Sequence, residues 1–372
     1  MSAKSPDLSN RIAAEIAATG PISFARFMEF ALYDSAEGYY ASGRARIGRE
    51  GDFYTNISVG PLFGQLLAGQ FREMWETLGS PQEFSLIEQG AHTGQFAADV
   101  LASIPSEFPL KYIIVEPSAA LRTRQETTLA AVRDQVTWVE NLEAIPPCEG
   151  VHFSNELIDA FPFHLLQSEG GIWQELRVDR KDEGFVFQPS APSLDISALP
   201  ARPDGTMIEL RPAVSPWTES LARTLRRGYG LIVDYGFPQA ELWAPHRRDG
   251  TFTCYQNHRK DALPLENPGE KDITAHVDFT AVAEATARHS FRLVGFTDQH
   301  HFLVGAAESL LKSLEGPPTP QSQKTLRTLQ ALWHPENMGT RFHYLAFSKG
   351  VVENKTLSGF RHARDAHKLL FG

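Results

Sequence analysis

The chain has 372 residues, room for two domains or for one large domain with an elaboration, and enough to bury roughly 75% of its unfolded surface without a disulfide or metal staple. A composition of 42% hydrophobic and 22% charged residues is that of a globular chain and argues against disorder. Its 45 acidic and 35 basic residues leave a net charge of −10, which offers no general attraction for a phosphate backbone, so no nucleic-acid partner is expected.

Residues 7–34 carry Leu8, Ile12, Ile16, Phe24, Phe27, Met28 and Ala31 at three- and four-residue steps. This predicts two helices parted by Gly20-Pro21, with Ser23 as N-cap of the second. Apolar stretches here are broken by Glu15 and Gly20 too early for a signal peptide. Asp7 and Glu15 stand against Lys4 and Arg11, unlike an acid-poor transit peptide. The segment 38–60 is rich in glycine and aromatics without a period, a long loop of the kind that binds something. Residues 61–79 return to helical spacing through Leu62, Phe63, Leu66, Leu67 and Phe71.

From Phe84 short apolar runs alternate with helical stretches: FSLIEQG, then AHTGQFAADVLASI, KYIIVEP, SAALRTRQETTLAAV, QVTWVEN and GVHFSNELIDAF. Strands alternating with helices predict an α/β fold with a parallel sheet covered on both faces. Such sheets bind ligands beyond the carboxyl ends of their strands, near the topological switch point, where this chain places acids and glycines. Residues 171–187 predict a hairpin and 189–205 a loop. A helix near 216–227 leads to the strand GYGLIVDYG. Residues 237–273 read as irregular, followed by a helix near 278–289, apolar runs at 291–296 and 302–304, a Pro-rich break at 316–320, another helix, and RFHYLAF as a last strand. No run approaches the ~18 apolar residues of a membrane span.

The most informative element is Glu88-Gln89-Gly90-Ala91-His92-Thr93-Gly94 between a strand and a helix. Gly90 and Gly94 permit a tight bend and close approach of backbone to ligand. Glu88 closes the first strand, and Glu116, after the next strand, stands where an acid can grip a ribose. The loop has neither the Gly-Lys-Ser/Thr ending that holds phosphates nor a Gly-x-Gly-x-x-Gly pattern. A nucleoside lacking phosphates fits better, and S-adenosylmethionine is the common one; the glycine pair alone would also serve a tight turn. At the end of the fourth strand Asn155, Glu156 and Asp159 sit where a substrate would meet a cofactor, and Glu156 and Asp159 share a face if a helical turn begins there. Equally, Asn155 could cap the turn and Asp159 complement a helix dipole. Asp234, after another strand, could orient an acceptor or cap a turn.

These residues resemble the class I S-adenosylmethionine-dependent methyltransferases of the bacterial MidA type, whose mitochondrial relative is a complex I assembly factor and protein arginine methyltransferase. The resemblance runs through GPISFARFMEFALYDSAEGYY (20–40), GDFYTN (51–56), EQGAHTG (88–94), VEPSAALRTRQ (115–125), NELIDAFP (155–162), WQE (173–175), LIVDYG (231–236), GTFTCYQNH (250–258), GEKDITAHVDF (269–279), QHHFLVG (299–305) and MGTRFHYLAF (338–347). It implies a seven-stranded, Rossmann-like methyltransferase sheet over 81–372, with a helical and loop region at 1–80 covering the active site and insertions near 165–210 and 237–277. By matching positions it implies Glu88, Gly90 and Gly94 around the methionine end of S-adenosylmethionine, Glu116 on the ribose and Asn141 near adenine. It implies Asn155, Glu156 and Asp159 lining the transfer site, and a loop with Asp52 and Thr55 folding over cofactor or substrate. One departure is His92, where the family usually has glycine.

The acceptor so implied is a protein arginine, a respiratory-complex subunit by resemblance. Glu156 and Glu175 are the expected grip on its guanidinium, since carboxylates hold that planar cation bidentately, and His276 is an expected active-site residue. A cofactor-binding assembly factor without turnover and a small-molecule methyltransferase are the alternatives. No metal is expected: the histidines lack zinc-site spacing, and adjacent His300 and His301 would point to opposite faces of a strand. Cys148 and Cys254, with no Cys-x-x-Cys pair, read as free thiols of a reducing compartment, giving a cytoplasmic location.

Overall fold

The structure, a computed structural model, describes residues 7–42, 56–256, 259–352 and 355–372. The chain divides into two units: Met1–Phe53, Ala160–Val214 and Ala240–His276 form one, and Tyr54–Asp159, Ser215–Gln239 and Val277–Gly372 form the other. The stretches 165–210 and 237–277 overlap the segments Ala160–Val214 and Ala240–His276 of the first unit. The division differs from a boundary at residue 80. The helix Leu62–Thr77 lies with the large sheet because Phe63, Leu67, Phe71 and Met74 are buried in the same core as the sheet residues Leu86, Tyr112 and Phe153.

The second unit is built on a sheet in the spatial order Arg292–Asp298, Phe342–Lys349, Leu225–Phe237, Cys148–Asn155, Phe84–Gln89, Leu110–Val115, Val136–Val139, with the short strand Val277–Asp278 beside Gly236 and Phe237. The pairings from Leu225–Phe237 through to Val136–Val139 are parallel. Phe342–Lys349 pairs antiparallel on both sides. The first three strands in the chain run outward from Phe84–Gln89, and the fourth returns to its other side. The switch point therefore falls between Phe84–Gln89 and Cys148–Asn155, whose ends carry the glycine loop and Asn155-Glu156.

Close approach of strands at that centre depends on glycine. Gly150 faces Ser85 on one side and Gly228 on the other. A Cβ on Gly150 would stand 1.9 Å from the Ser85 carbonyl oxygen, and one on Gly228 would stand 1.9 Å from the Gly150 oxygen.

In the first unit, Leu8–Thr19 buries Leu8, Ile12, Ala13 and Ile16 and ends at Gly20, whose φ of 80° no side chain favours. The Arg26 N–H donates to Ser23 Oγ at 3.1 Å, the expected N-cap of Phe24–Tyr33. These helices share a core with Phe163, Leu165, Leu176, Val178 and Ile273. The hairpin expected at 171–187 is Ile172–Lys181 with Gly184–Ser190, inside a four-stranded antiparallel sheet completed by His164–Glu169 and Met207–Leu210.

Three sequence expectations change. Residues 237–273 are not irregular throughout: Thr253–Gln256 pairs with Arg259–Asp261 and Asp272–Thr274, strands too short to show a period. The helix expected to run to 227 is Val214–Thr224, and the strand Leu225–Phe237 begins at once. The apolar run 302–304 lies in a helix, Gln299–Ala306. No helix of the described residues is long and apolar enough to cross a membrane.

Replacing Gly150 by Ala is expected to destabilise the protein by about 3 kcal/mol or more, because the obstacle is backbone and cannot swing away. Gly69→Ala, in a helix with nothing near the new Cβ, is expected to stabilise by about 0.5–1 kcal/mol. Urea titrations of the two variants against the parent measure both.

Candidate active site

Glu88 and Gln89 close their strand pointing to opposite faces. Glu88 is buried and accepts the Tyr112 hydroxyl at 2.6 Å. Burial pushes its carboxyl up to about 7, against the pull of that hydrogen bond. Gln89 Oε1 accepts Trp217 Nε1 at 3.0 Å and lies 3.2 Å from His152 Nε2. The chain then bends through three left-handed residues, Gly90 (φ 86°), His92 (φ 45°) and Gly94 (φ 81°). A Cβ on Gly90 would meet Leu157 Cδ1 at 3.4 Å, and one on Gly94 would come within 3.2 Å of Leu129 Cδ1. His92 keeps the glycine conformation, and histidine is among the side chains that tolerate it best.

Glu116 follows the strand Leu110–Val115. Its buried carboxylate accepts the Ser118 N–H and Gln125 Nε2, each at 2.9 Å. Burial raises its pKa, opposed by those two bonds and by the Arg122 cation. A carboxylate has about four acceptor positions, so two bonds leave capacity for paired hydroxyls. Gln125 was not singled out by the sequence, yet it is fully buried and also bonds the His92 carbonyl at 3.0 Å and Trp138 Nε1 at 2.9 Å. Asn141 is exposed, and its Oδ1 accepts the Ala144 N–H at 3.0 Å, capping the turn Leu142–Ala144.

Beyond the fourth strand the backbone turns sharply at Glu156, which has a φ of 54°. Asn155 Nδ2 donates to Glu156 Oε1 at 2.8 Å. Asn155 Oδ1 is buried without a hydrogen-bond partner among the described residues. The next three N–H groups, of Leu157, Ile158 and Asp159, all donate to Asp234 Oδ2, at 3.2, 2.9 and 3.3 Å. The Tyr235 N–H donates to Asp234 Oδ1 at 2.8 Å. Asp234 therefore caps a turn. It is fully buried, and burial first, then the Asp159 carboxylate, holds its pKa well above the ordinary range. Glu156, Asp159 and Asp234 gather at one end of two neighbouring strands, a cluster of three acids.

Two expected site residues belong to the first unit. Glu175 belongs to the first unit, in the strand Ile172–Lys181, and its side chain is fully buried. His164 Nδ1 lies 2.8 Å from its Oε1, the Ser193 N–H donates to Oε2 at 2.8 Å, and Arg177 Nε is 3.6 Å away. Burial would raise its pKa, but these partners prevail and bring it to about 2. Each oxygen has a partner within the first unit and the side chain is fully buried there, which gives Glu175 a structural role in that sheet. His276, also in the first unit, is held through its backbone: its N–H donates to Thr251 Oγ1 at 3.0 Å and its carbonyl accepts from Arg211 at 2.8 Å. Nothing in those bonds assigns its ring a chemical step. Asp52 and Thr55 lie outside the described residues. His300 and His301 sit in the first turn of a helix, not a strand, bound to the Trp333 carbonyl and the Asp298 carboxylate. Among the described residues no group of three potential metal ligands occurs.

Two side-chain-free bends, a buried acid past the second strand and a buried amide oxygen with spare capacity suit an unphosphorylated nucleoside such as S-adenosylmethionine. Comparison with known proteins decides the matter. A family model for S-adenosyl-L-methionine-dependent methyltransferases matches residues 66–297. The chain belongs to this methyltransferase family. A crystal structure of a protein from Burkholderia thailandensis bound to S-adenosyl-homocysteine is 31% identical, covers 99% of this chain and 100% of that one, and superposes with a TM-score of 0.88. The protein arginine methyltransferase NDUFAF7 homolog, mitochondrial, of Drosophila melanogaster is 30% identical over 93% of this chain and 85% of its own length. NDUFAF7 of Homo sapiens is 26% identical over 95% of this chain and 85% of its own. This methyltransferase is of the MidA type with a class I fold, and its cofactor is S-adenosylmethionine. The two curated relatives are named as mitochondrial, which gives no support to the cytoplasmic expectation.

Asp234→Asn is expected to cost about 1–3 kcal/mol of stability, because one carboxamide oxygen cannot accept all four N–H groups whichever way it is flipped; urea unfolding checks this. Glu175 has a depressed folded-state pKa, so its contribution to stability is present above its unfolded value of about 4.3 and is lost as pH falls towards 2. The stability gap between the parent and Glu175→Gln is therefore expected to be wide at pH 6 and clearly narrower at pH 3, by denaturant titration.

Proposed function

We propose that this methyltransferase modifies an arginine side chain of a protein. The observation that carries the reading is the acidic rim beside the glycine loop, in which Glu156 is held out of the strand by its left-handed backbone with Asp159 three residues on. Its support from outside the chain is that relatives of 24–30% identity are named protein arginine methyltransferases. A guanidinium is planar and always charged, and carboxylates bind it bidentately. With Glu175 fully buried and bonded within its own sheet, Glu156 and Asp159 are the acids assigned to that task.

Bound S-adenosylmethionine supplies an electrophilic methyl group on a sulfonium. Glu88, Gly90, Gly94 and Glu116 would hold it, and the chain's remaining work is alignment. Bringing the attacking nitrogen to about 3–3.5 Å from the methyl carbon can be worth ~7–11 kcal/mol. The Glu156 carboxylate fixes the plane of the guanidinium and disfavours the resonance forms that draw charge from the attacking nitrogen. That nitrogen gains the methyl group and afterwards sheds a proton, for which the rim carboxylates are acceptors. His92 keeps the loop's glycine conformation, which supports retained cofactor binding. A respiratory-complex subunit is the acceptor class to which the family resemblance points.

The test is incubation of purified protein and methyl-labelled S-adenosylmethionine with lysate from a strain lacking the gene, followed by hydrolysis and amino-acid analysis. Label is expected on methylarginine in the protein fraction. Glu156→Gln is expected to lower that transfer at least 100-fold while S-adenosylhomocysteine still binds in calorimetry. Label confined to small molecules or lipids overturns the arginine reading; binding without any label in any fraction indicates a factor without turnover.

A further inference from the structure

We infer that Gln125 is a positioning residue for the cofactor, the single side chain that sets the glycine loop and the ribose acid at a fixed spacing. The inference rests on the reading that the loop 88–94 and Glu116 hold S-adenosylmethionine. Gln125 lies in the helix Ala119–Thr128 and is fully buried. Its two amide hydrogens go to different elements: one to the His92 carbonyl at 3.0 Å, the other to Glu116 Oε2 at 2.9 Å. Its oxygen accepts Trp138 Nε1 at 2.9 Å from the third strand. A carboxamide has two donors and an acceptor, and here each is used on a different partner.

That division of labour is specific to an amide. A carboxylate has no hydrogen to offer either the His92 carbonyl or Glu116, and an ammonium has nothing for the indole. The backbone of Gln125 also bounds the loop, since its Cα is 3.4 Å from where a Cβ on Gly94 would stand. Gln125 therefore ties the path of the glycine loop to the Glu116 carboxylate, whose other oxygen is held by the Ser118 N–H at 2.9 Å. His92 gives this its point. A non-glycine residue in the left-handed region is disfavoured, and the bond from Gln125 to the His92 carbonyl holds that peptide in the bent path. The charged neighbour of Glu116 is Arg122, which donates to the Glu116 carbonyl at 3.0 Å and lowers its carboxyl pKa through space.

The experiment measures S-adenosylhomocysteine binding by calorimetry, together with thermal unfolding, for the full-length protein and two variants. Gln125→Met keeps the volume and removes all three bonds; the Kd is expected to rise at least tenfold. Gln125→Glu places a second carboxyl against Glu116, and the pair can be accommodated only while sharing a proton. Its Kd is expected to lie near the parent's at pH 5.5 and to be at least tenfold weaker than the parent's at pH 8.5, each compared at the same pH because the Glu88 carboxyl, at about 7, also titrates in that range; lost packing would not make the ratio depend on pH. Phe71→Leu, a core variant, serves as a control for stability alone. The inference is overturned if the parent binds but both variants bind equally well at both pH values, or if Phe71→Leu weakens binding as much as Gln125→Met for the same loss of thermal stability. Failure of the parent to bind S-adenosylhomocysteine at all would instead overturn the assignment of the loop and Glu116 on which the inference stands.

Discussion

The rim of the sheet is held by one carboxylate. Where the chain leaves the strand Cys148–Asn155 it abandons the ladder, and three consecutive N–H groups, of half-buried Leu157 and buried Ile158 and Asp159, lose their strand partners. Each would cost about 1–3 kcal/mol if left without an acceptor. Asp234, at the end of the neighbouring strand, accepts all three on one oxygen. The backbone is thereby curled into an anion-holding nest, Glu156 is turned into the left-handed region, and Asp159 is drawn in beside a second acid. Burial, with the Asp159 carboxylate beside it, is what holds the Asp234 carboxyl well above its ordinary range.

The second constraint is steric. Gly150 and Gly228 stand side by side in the middle of the sheet, so the strands Cys148–Asn155 and Leu225–Phe237 approach without side chains between their backbones at that level. The glycine loop repeats the theme at the rim, where Gly90 packs against Leu157 of the Asp234-capped turn. The loop that would carry the cofactor and the turn that would meet the acceptor are thus in van der Waals contact, and a shift of one is felt by the other.

Much of this was legible in the sequence. Short apolar runs ending in Glu88, Glu116 and Asn155-Glu156 are buried parallel strands whose polar ends mark the ligand-binding edge, and the order of the runs implied the fold class. Gly90 and Gly94 announced the bend. What escaped the sequence depended on partners distant along the chain. Glu175 reads as a free acid beside Trp173 until His164 and Ser193 are seen to occupy it. Asp234 left two readings open because only register shows which N–H groups lie opposite its oxygens. Gln125 is a polar residue in a polar helix whose sequence periodicity is weak, and no local signal distinguishes it from Gln135. The strands between 253 and 274 are too short for alternation to register, and the run at 302–304 is apolar in either a helix or a strand.

The smaller unit is assembled from three stretches separated by long excursions into the larger one, and this bears on how the molecule comes into being. Phe24, near the start, rests against Phe163, Phe187 and Phe252. At roughly 5–20 residues per second of synthesis, the first two helices wait many seconds on the ribosome before the rings that complete their surroundings exist. During that interval their apolar stripes are open to chaperones or to wrong partners. Neither unit corresponds to a contiguous fragment that could be cut out and expressed, so maturation is governed by the last-made segments, and nicks within the connecting stretches would threaten both units together.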